Sequence, residues 1–183
     1  MAAQPASSIT RTSRSAAFLS FDPCLQFPPE RECGESGGYL ALYGHSFPDW
    51  FATSVRAWAE ANSRRIVSIG YANEWADEQR IEVAPEEFTS VIAQADAVAT
   101  NFFHGCVFAL HHERPFVCAP SSYRFNKVRD LTHALGAERH MVTEDAGAER
   151  YAELLGTPLE RAIADRIEAM RRQSSAYLAA ALG

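Results

Sequence analysis

Three clusters of polar residues, each directly after an apolar run, carry the chemistry open to this sequence. Gly44-His45-Ser46 follows the run at 39–44, Thr100-Asn101-Phe102-Phe103-His104-Gly105 closes the run at 97–100, and Pro120-Ser121-Ser122-Tyr123-Arg124, with Lys127 beyond, follows the run at 115–119. The middle cluster is the most informative. His104 falls in the first turn of an expected helix, beside backbone N–H groups that no intrahelical carbonyl can take, which suits an anion or a proton transfer. Gly105 there admits close approach of backbone or ligand. The competing reading of His104 is a cap, or a bond to a loop carbonyl.

Other constellations carry less. His104, His111 and His112 are separated by seven and eight residues, two helical turns, rather than the i, i+4 spacing of a helical zinc pair, so no metal site is expected. Cys106, two residues from His104, falls on the opposite side of the helix and reads as a packing thiol. Cys24, Cys33, Cys106 and Cys118 show no CxxC spacing and suit reduced, structural thiols. Trp50, Trp58 and Trp75 are aromatic platforms of the kind that line sugar sites, although Trp58 belongs to an apolar stripe and reads as core. No P-loop, GxGxxG or GxSxG element occurs.

The elements that must position these clusters alternate strand with helix. Strands are expected at 39–44, 65–70, 97–100, 115–119 and 140–143. Helices are expected from Ser46, Pro48 and Asp49 through Phe51, Val55, Trp58 and Ala59; from Pro85, Glu86 and Glu87 through Phe88, Val91, Ile92 and Ala95; from Phe103 to His111; and from Lys127 to Leu135, ended by Gly136. Leu159, Ile163, Ile167 and Met170 recur every three or four residues, as in a long C-terminal helix. This order predicts one α/β, Rossmann-like domain over 39–183, with a parallel sheet of about five strands flanked by helices. Residues 1–38, rich in Pro, Ser, Gly and Glu around 28–38, read as an irregular lead-in and loop. In an open parallel sheet ligands gather at the carboxyl ends of strands, where all three clusters fall.

Size and charge narrow the classes. The 183 residues suit one domain rather than a self-contained two-domain cleft. With 17 Lys and Arg against 23 Asp and Glu, the net charge of −6 argues against nucleic acid and anionic membrane surfaces. The apolar runs fall short of a transmembrane helix and the start lacks a signal core, so a soluble, cytoplasmic protein is expected. Arg11 and Arg14 stand in an acid-free Ser/Thr/Ala stretch of transit-peptide type that reads more simply as a frayed terminus.

The stretch from Ala95-Asp96 through Thr100-Asn101-Phe102-Phe103-His104-Gly105, then Arg114-Pro115-Phe116-Val117, then Lys127 with Asp130-Leu131 and Leu135-Gly136, resembles the C-terminal half of the polysaccharide pyruvyl transferase family. The resemblance runs in order over residues 39–137. It implies half of a glycosyltransferase-B-like fold, and transfer of a pyruvyl group from phosphoenolpyruvate, as donor substrate rather than cofactor, to a sugar of a surface or secreted polysaccharide. It implies His104 as acid or phosphate partner, Lys127 and Arg124 as anchors for the donor's phosphate or carboxylate, and Thr100, Asn101, Gly105, His45 and Ser46 around the substrate. The partners implied are a small-molecule donor, a glycan acceptor and a chain supplying the N-terminal half, which has no counterpart in residues 1–38.

One position departs from the family pattern. Phe102 stands where the family often carries arginine, and a phenyl ring cannot replace a bidentate fork. Either another cation substitutes, the donor differs, or the chain is a branch or fragment without pyruvyl transfer. A noncatalytic Rossmann-like binding module and a nucleotide-sugar glycosyltransferase domain are the alternatives, since one architecture hosts many functions.

Overall fold

A computed structural model describes residues 22–27 and 37–182. Arg11, Arg14, Cys33 and most of the expected loop at 28–38 lie outside the described residues. The sheet is built from β1 (Tyr39–Tyr43), β2 (Arg65–Ile69), β3 (Glu78–Arg80), β4 (Ala97–Thr100) and β5 (Phe116–Cys118). Every pairing is parallel and the spatial order is β3-β2-β1-β4-β5. The chain therefore leaves β1 toward one edge and later returns to its other side. The crevice between the ends of β1 and β4 is the point where the winding reverses, the place such sheets bind ligands.

Around the sheet lie α1 (Pro23–Gln26), α2 (Asp49–Ala61), α3 (Pro85–Gln94), α4 (Phe103–His111), α5 (Phe125–Leu135), α6 (Ala148–Gly156) and α7 (Arg161–Leu182). The two faces follow from the two-residue period of a strand. Leu40 and Leu42 pack with Ile66, Ala97, Ala99 and Val117 under α2 and α6, burying Phe51, Val55, Trp58, Tyr151 and Leu154. Tyr39 and Ala41 face the other way, with Val67, Val98, Phe116 and Cys118, beneath α3, α4, α5 and α7. Both faces are apolar, as a parallel sheet covered by helices requires.

Most expected elements form within two residues of their expected bounds. The Phe51, Val55, Trp58 and Ala59 stripe is the buried face of α2, Gly136 ends α5 with a left-handed φ of 68°, and Ile163 and Ile167 of α7 are buried. The expectation of a strand at 140–143 is corrected. Residues Glu138–His140 turn as a 3-10 helix, and Met141 alone bridges to Cys118. The buried His140 ring stacks on Phe116, with centroids 4.4 Å apart, and Nδ1 pairs with the Phe116 carbonyl oxygen at 2.8 Å. That side chain occupies the edge of β5 that a sixth strand would need. The fifth strand is β3, a charged edge strand whose Glu78 pairs with Arg65 and Arg80.

Within the expected irregular lead-in, α1 is a single helical turn. Asp22 caps it, accepting the Cys24 N–H at 2.9 Å, and Pro23 takes the first helical position. Leu25 is fully buried, which contributes about 1.5–3 kcal/mol to a turn too short to hold itself. From α7, Arg171 Nε donates to the Leu25 carbonyl at 2.5 Å, and Gln26 Nε2 donates to Ser175 Oγ at 2.9 Å. These bonds hold Asp22 and Cys24 beside the start of α4.

Candidate functional site at the carboxyl ends of β1 and β4

Thr100, the last residue of β4, sets the geometry of the β4–α4 turn. It is fully buried. Its Oγ1 donates to the Tyr43 carbonyl at 2.6 Å and accepts the Phe102 N–H at 3.0 Å, tying the ends of β1 and β4 together. Gly105 is buried against it. A Cβ at 105 would lie 2.1 Å from Thr100 Oγ1, so the space this glycine leaves is filled by the threonine and not by a ligand. Asn101 is buried also, and its Nδ2 donates to the His45 carbonyl at 2.7 Å. Asn101 Oδ1 sits where a side chain on Gly44 would go and has no hydrogen-bond partner among the described residues. Thr100, Asn101 and Gly105 are thus locked into the β4–α4 turn, from which α4 leaves the sheet.

Two phenylalanines organise the exposed side chains. The Phe102 ring is largely buried, with Tyr43, His45 and Tyr71 edge-on at centroid distances of 5.2, 5.3 and 5.1 Å. Above it lies the Arg124 guanidinium, Cζ 4.3 Å from the ring centre, with Nη1 donating to Ser121 Oγ at 3.2 Å. Next in sequence, Phe103 carries the His104 ring at 5.3 Å and the Lys127 ammonium at 4.8 Å. Arg124, Lys127 and His104 are therefore gathered on neighbouring aromatic residues at the start of α4, whose N-terminus no side chain caps. His45 Nδ1 lies 3.0 Å from the Ser46 hydroxyl, and Ser46 holds a left-handed φ of 54°. Burial pushes the Tyr43 phenol up, assisted by Tyr71 and opposed by Arg124.

His104 has a partner that the spacing of the sequence did not suggest. Its ring, about half exposed, places Nε2 3.9 Å from Oδ2 of Asp22. Asp22, Cys24 and His104 each bring one donor atom within 4.8 Å of the others, the combination from which a metal site could be made. Burial, and then Asp22, push the Cys24 thiol up, which disfavours the thiolate that a metal ligand would have to be. The signal available in the sequence was Asp22-Pro23, a cap followed by proline at a helix start.

Cys106 is buried, as its helical phase requires. Burial pushes the neighbouring Cys118 thiol well up, assisted by Cys106. Neither has the exposed, cation-rich setting of a nucleophile. Among the described residues no helix is long and apolar enough to cross a membrane.

An all-parallel, doubly wound sheet covered by helices on both faces defines an α/β domain of the Rossmann-like class. Its sequence matches the polysaccharide pyruvyl transferase profile over residues 12–123, and the chain belongs to that transferase family. The match takes in Asp22, Cys24, His45, Ser46 and the whole turn from Thr100 to Gly105. Arg124 and Lys127 lie just past its end. No curated protein matches the chain.

Proposed function

We propose that this domain binds phosphoenolpyruvate and catalyses pyruvyl transfer to a sugar of a surface or secreted polysaccharide. The observation that carries the reading is the Arg124 guanidinium above Phe102. It supplies, from the start of α5, a planar cation at the turn where the family pattern often has arginine. Arg124 and Lys127 take the donor's carboxylate and phosphate, with the α4 N-terminus adding its dipole.

His104 is the acid. Its proton goes to the methylene carbon of the enol, making a methyl group and leaving C2 electrophilic. One sugar hydroxyl adds to C2 and its proton returns to His104, and a second displaces inorganic phosphate, which carries off the other proton, so the ketal forms with no redox change. Asp22 holds the His104 ring. Because phosphoenolpyruvate is a cytoplasmic metabolite, the reaction is assigned to the cytoplasm. We further assign residues 39–183 as the domain unit, glycosyltransferase-B-like in its relation to a second lobe. That lobe comes from another segment or a partner chain.

Calorimetric titration of the chain with phosphoenolpyruvate, beside a panel of nucleotide sugars, tests the reading. Saturable binding of phosphoenolpyruvate, with phosphate released once a sugar acceptor is added, is expected. Saturation by a nucleotide sugar, with no heat from phosphoenolpyruvate, would replace it with glycosyl transfer.

A further inference from the structure

A second feature lies at the same winding reversal, on the α2 side of the strand ends. A cavity of about 280 Å³ opens there between the ends of β1, β4 and β5. Its wall includes Ser46, Trp50, Asn101, Ser121, Thr143 and Glu144. The volume sits at the lower edge of the roughly 300–1,000 Å³ typical of small-molecule sites, enough for one ring and too little for a dinucleotide.

The lining decides the class of ligand. Trp50 is half-buried and brings an indole ring to the wall. Ser46, Ser121 and Thr143 offer hydroxyls that can donate or accept. Asn101 lines the wall from a buried position, and Glu144 brings carboxylate oxygens. No lysine or arginine is among the described residues that line the cavity, and its one acidic side chain is Glu144. An anionic donor meets no cation in this lining, whereas a neutral ring bearing several hydroxyls meets an indole and several hydroxyls and carboxylate oxygens.

We propose that this cavity is a subsite for a single neutral sugar ring, and that the ring is the acceptor. Its identification as acceptor rests on the pyruvyl-transfer reading; its preference for a neutral polyol rests on the lining alone. The two sites adjoin through Ser121, which lines the cavity and accepts from Arg124 at 3.2 Å. A ring hydroxyl near Ser121 is thereby directed toward the cations that hold the donor.

Saturation-transfer NMR on the full chain, with methyl β-galactoside and methyl β-glucoside as probes, tests the subsite. At least one glycoside is expected to bind with millimolar affinity, about −4 kcal/mol. Trp50→Ala is expected to weaken it about tenfold. Thr143→Leu, an exposed position that narrows the cavity without disturbing Trp50, is expected to do the same in a folded protein, with folding checked by circular dichroism. Phosphoenolpyruvate is expected to leave the glycoside signal in place.

Absence of saturation transfer from both glycosides, an unchanged signal in folded Thr143→Leu, or competitive displacement by phosphoenolpyruvate would overturn the subsite. The two readings fail separately. Glycoside binding without calorimetric binding of phosphoenolpyruvate removes the donor assignment and leaves the sugar site, and the reverse result removes only the sugar site.

Discussion

The Arg124 guanidinium lies over the Phe102 ring, Cζ 4.3 Å from the ring centre, at the point where the sheet reverses its winding. The ring cannot bind an anion, but it gives the cation a fixed platform. Arg124→Ala is expected to raise the Kd for phosphoenolpyruvate about 10–100-fold, the worth of a charged hydrogen-bonded contact. Arg124→Lys restores a point charge without the fork and is expected to recover part of the loss. Calorimetry on the three proteins decides it, and undiminished affinity in Arg124→Ala would remove Arg124 from the donor site.

His104 and Asp22 separate chemistry from positioning. His104→Asn is expected to lower kcat for phosphate release about 10²–10⁴-fold, the usual contribution of a positioned acid. Its KM for phosphoenolpyruvate should move far less. Asp22 reaches the site through the histidine, 3.9 Å away, so Asp22→Asn is expected to lower kcat by about tenfold with KM unchanged, and Asp22→Glu to recover part of it. If Asp22→Asn instead raises KM and spares kcat, the carboxylate does not work through His104.

Gly105→Ala tests the framework. The new Cβ would meet Thr100 Oγ1 at 2.1 Å and Thr100 Cβ at 2.7 Å. Thr100 cannot retreat, since it is buried and bonded to both Tyr43 and Phe102. Overpacking of this kind costs about 1–3 kcal/mol. Urea denaturation should show a lower midpoint with an unchanged slope. A midpoint equal to that of the unmodified protein would mean that the β4–α4 turn yields freely.

How legible each element was in the sequence depends on the kind of signal it carries. The strands β1, β2 and β4 are apolar on both faces, and α2 carries its stripe at helical spacing, so periodicity located them. Glu78-Gln79-Arg80 carries no such pattern. Its place at the edge is secured by ion pairs with Arg65 and within the strand, together with Asp77, which accepts the Ile66 N–H at 2.7 Å, and these contacts exist only in three dimensions. The segment after His140 has strand-like composition, yet it meets β5 only at the Met141–Cys118 bridge, because the His140 ring takes the Phe116 carbonyl. The candidate cluster on α4 and α5 could be placed from the sequence because both helices follow strand ends. Asp22 could not, because α1 reaches His104 only through its anchoring by Leu25 and α7. Nor could the cavity, whose wall is assembled from four separated stretches of chain.

His140 gives the fold a pH dependence of known sign. Burial holds its imidazole below the ordinary value of 6.5, against the opposing pull of the Phe116 carbonyl and Glu160. Between that ordinary value and the lower native one, the unfolded chain binds more protons than the folded chain. Stability from this group is therefore complete above about pH 6.5 and is lost as pH falls, with a limiting slope of about 1.4 kcal/mol per pH unit. Glu160 contributes in a separate, more acidic window. Burial pushes its carboxyl up, but hydrogen bonding and Arg139 outweigh this and leave it below 4.5. His140→Phe keeps a ring to stack on Phe116 and cannot titrate. The difference in unfolding free energy between the two proteins, measured by urea titration from pH 8 to pH 5, should be constant above pH 6.5 and shift toward the variant below it. A difference that stays flat over the whole range would show that the buried ring takes up its proton without cost.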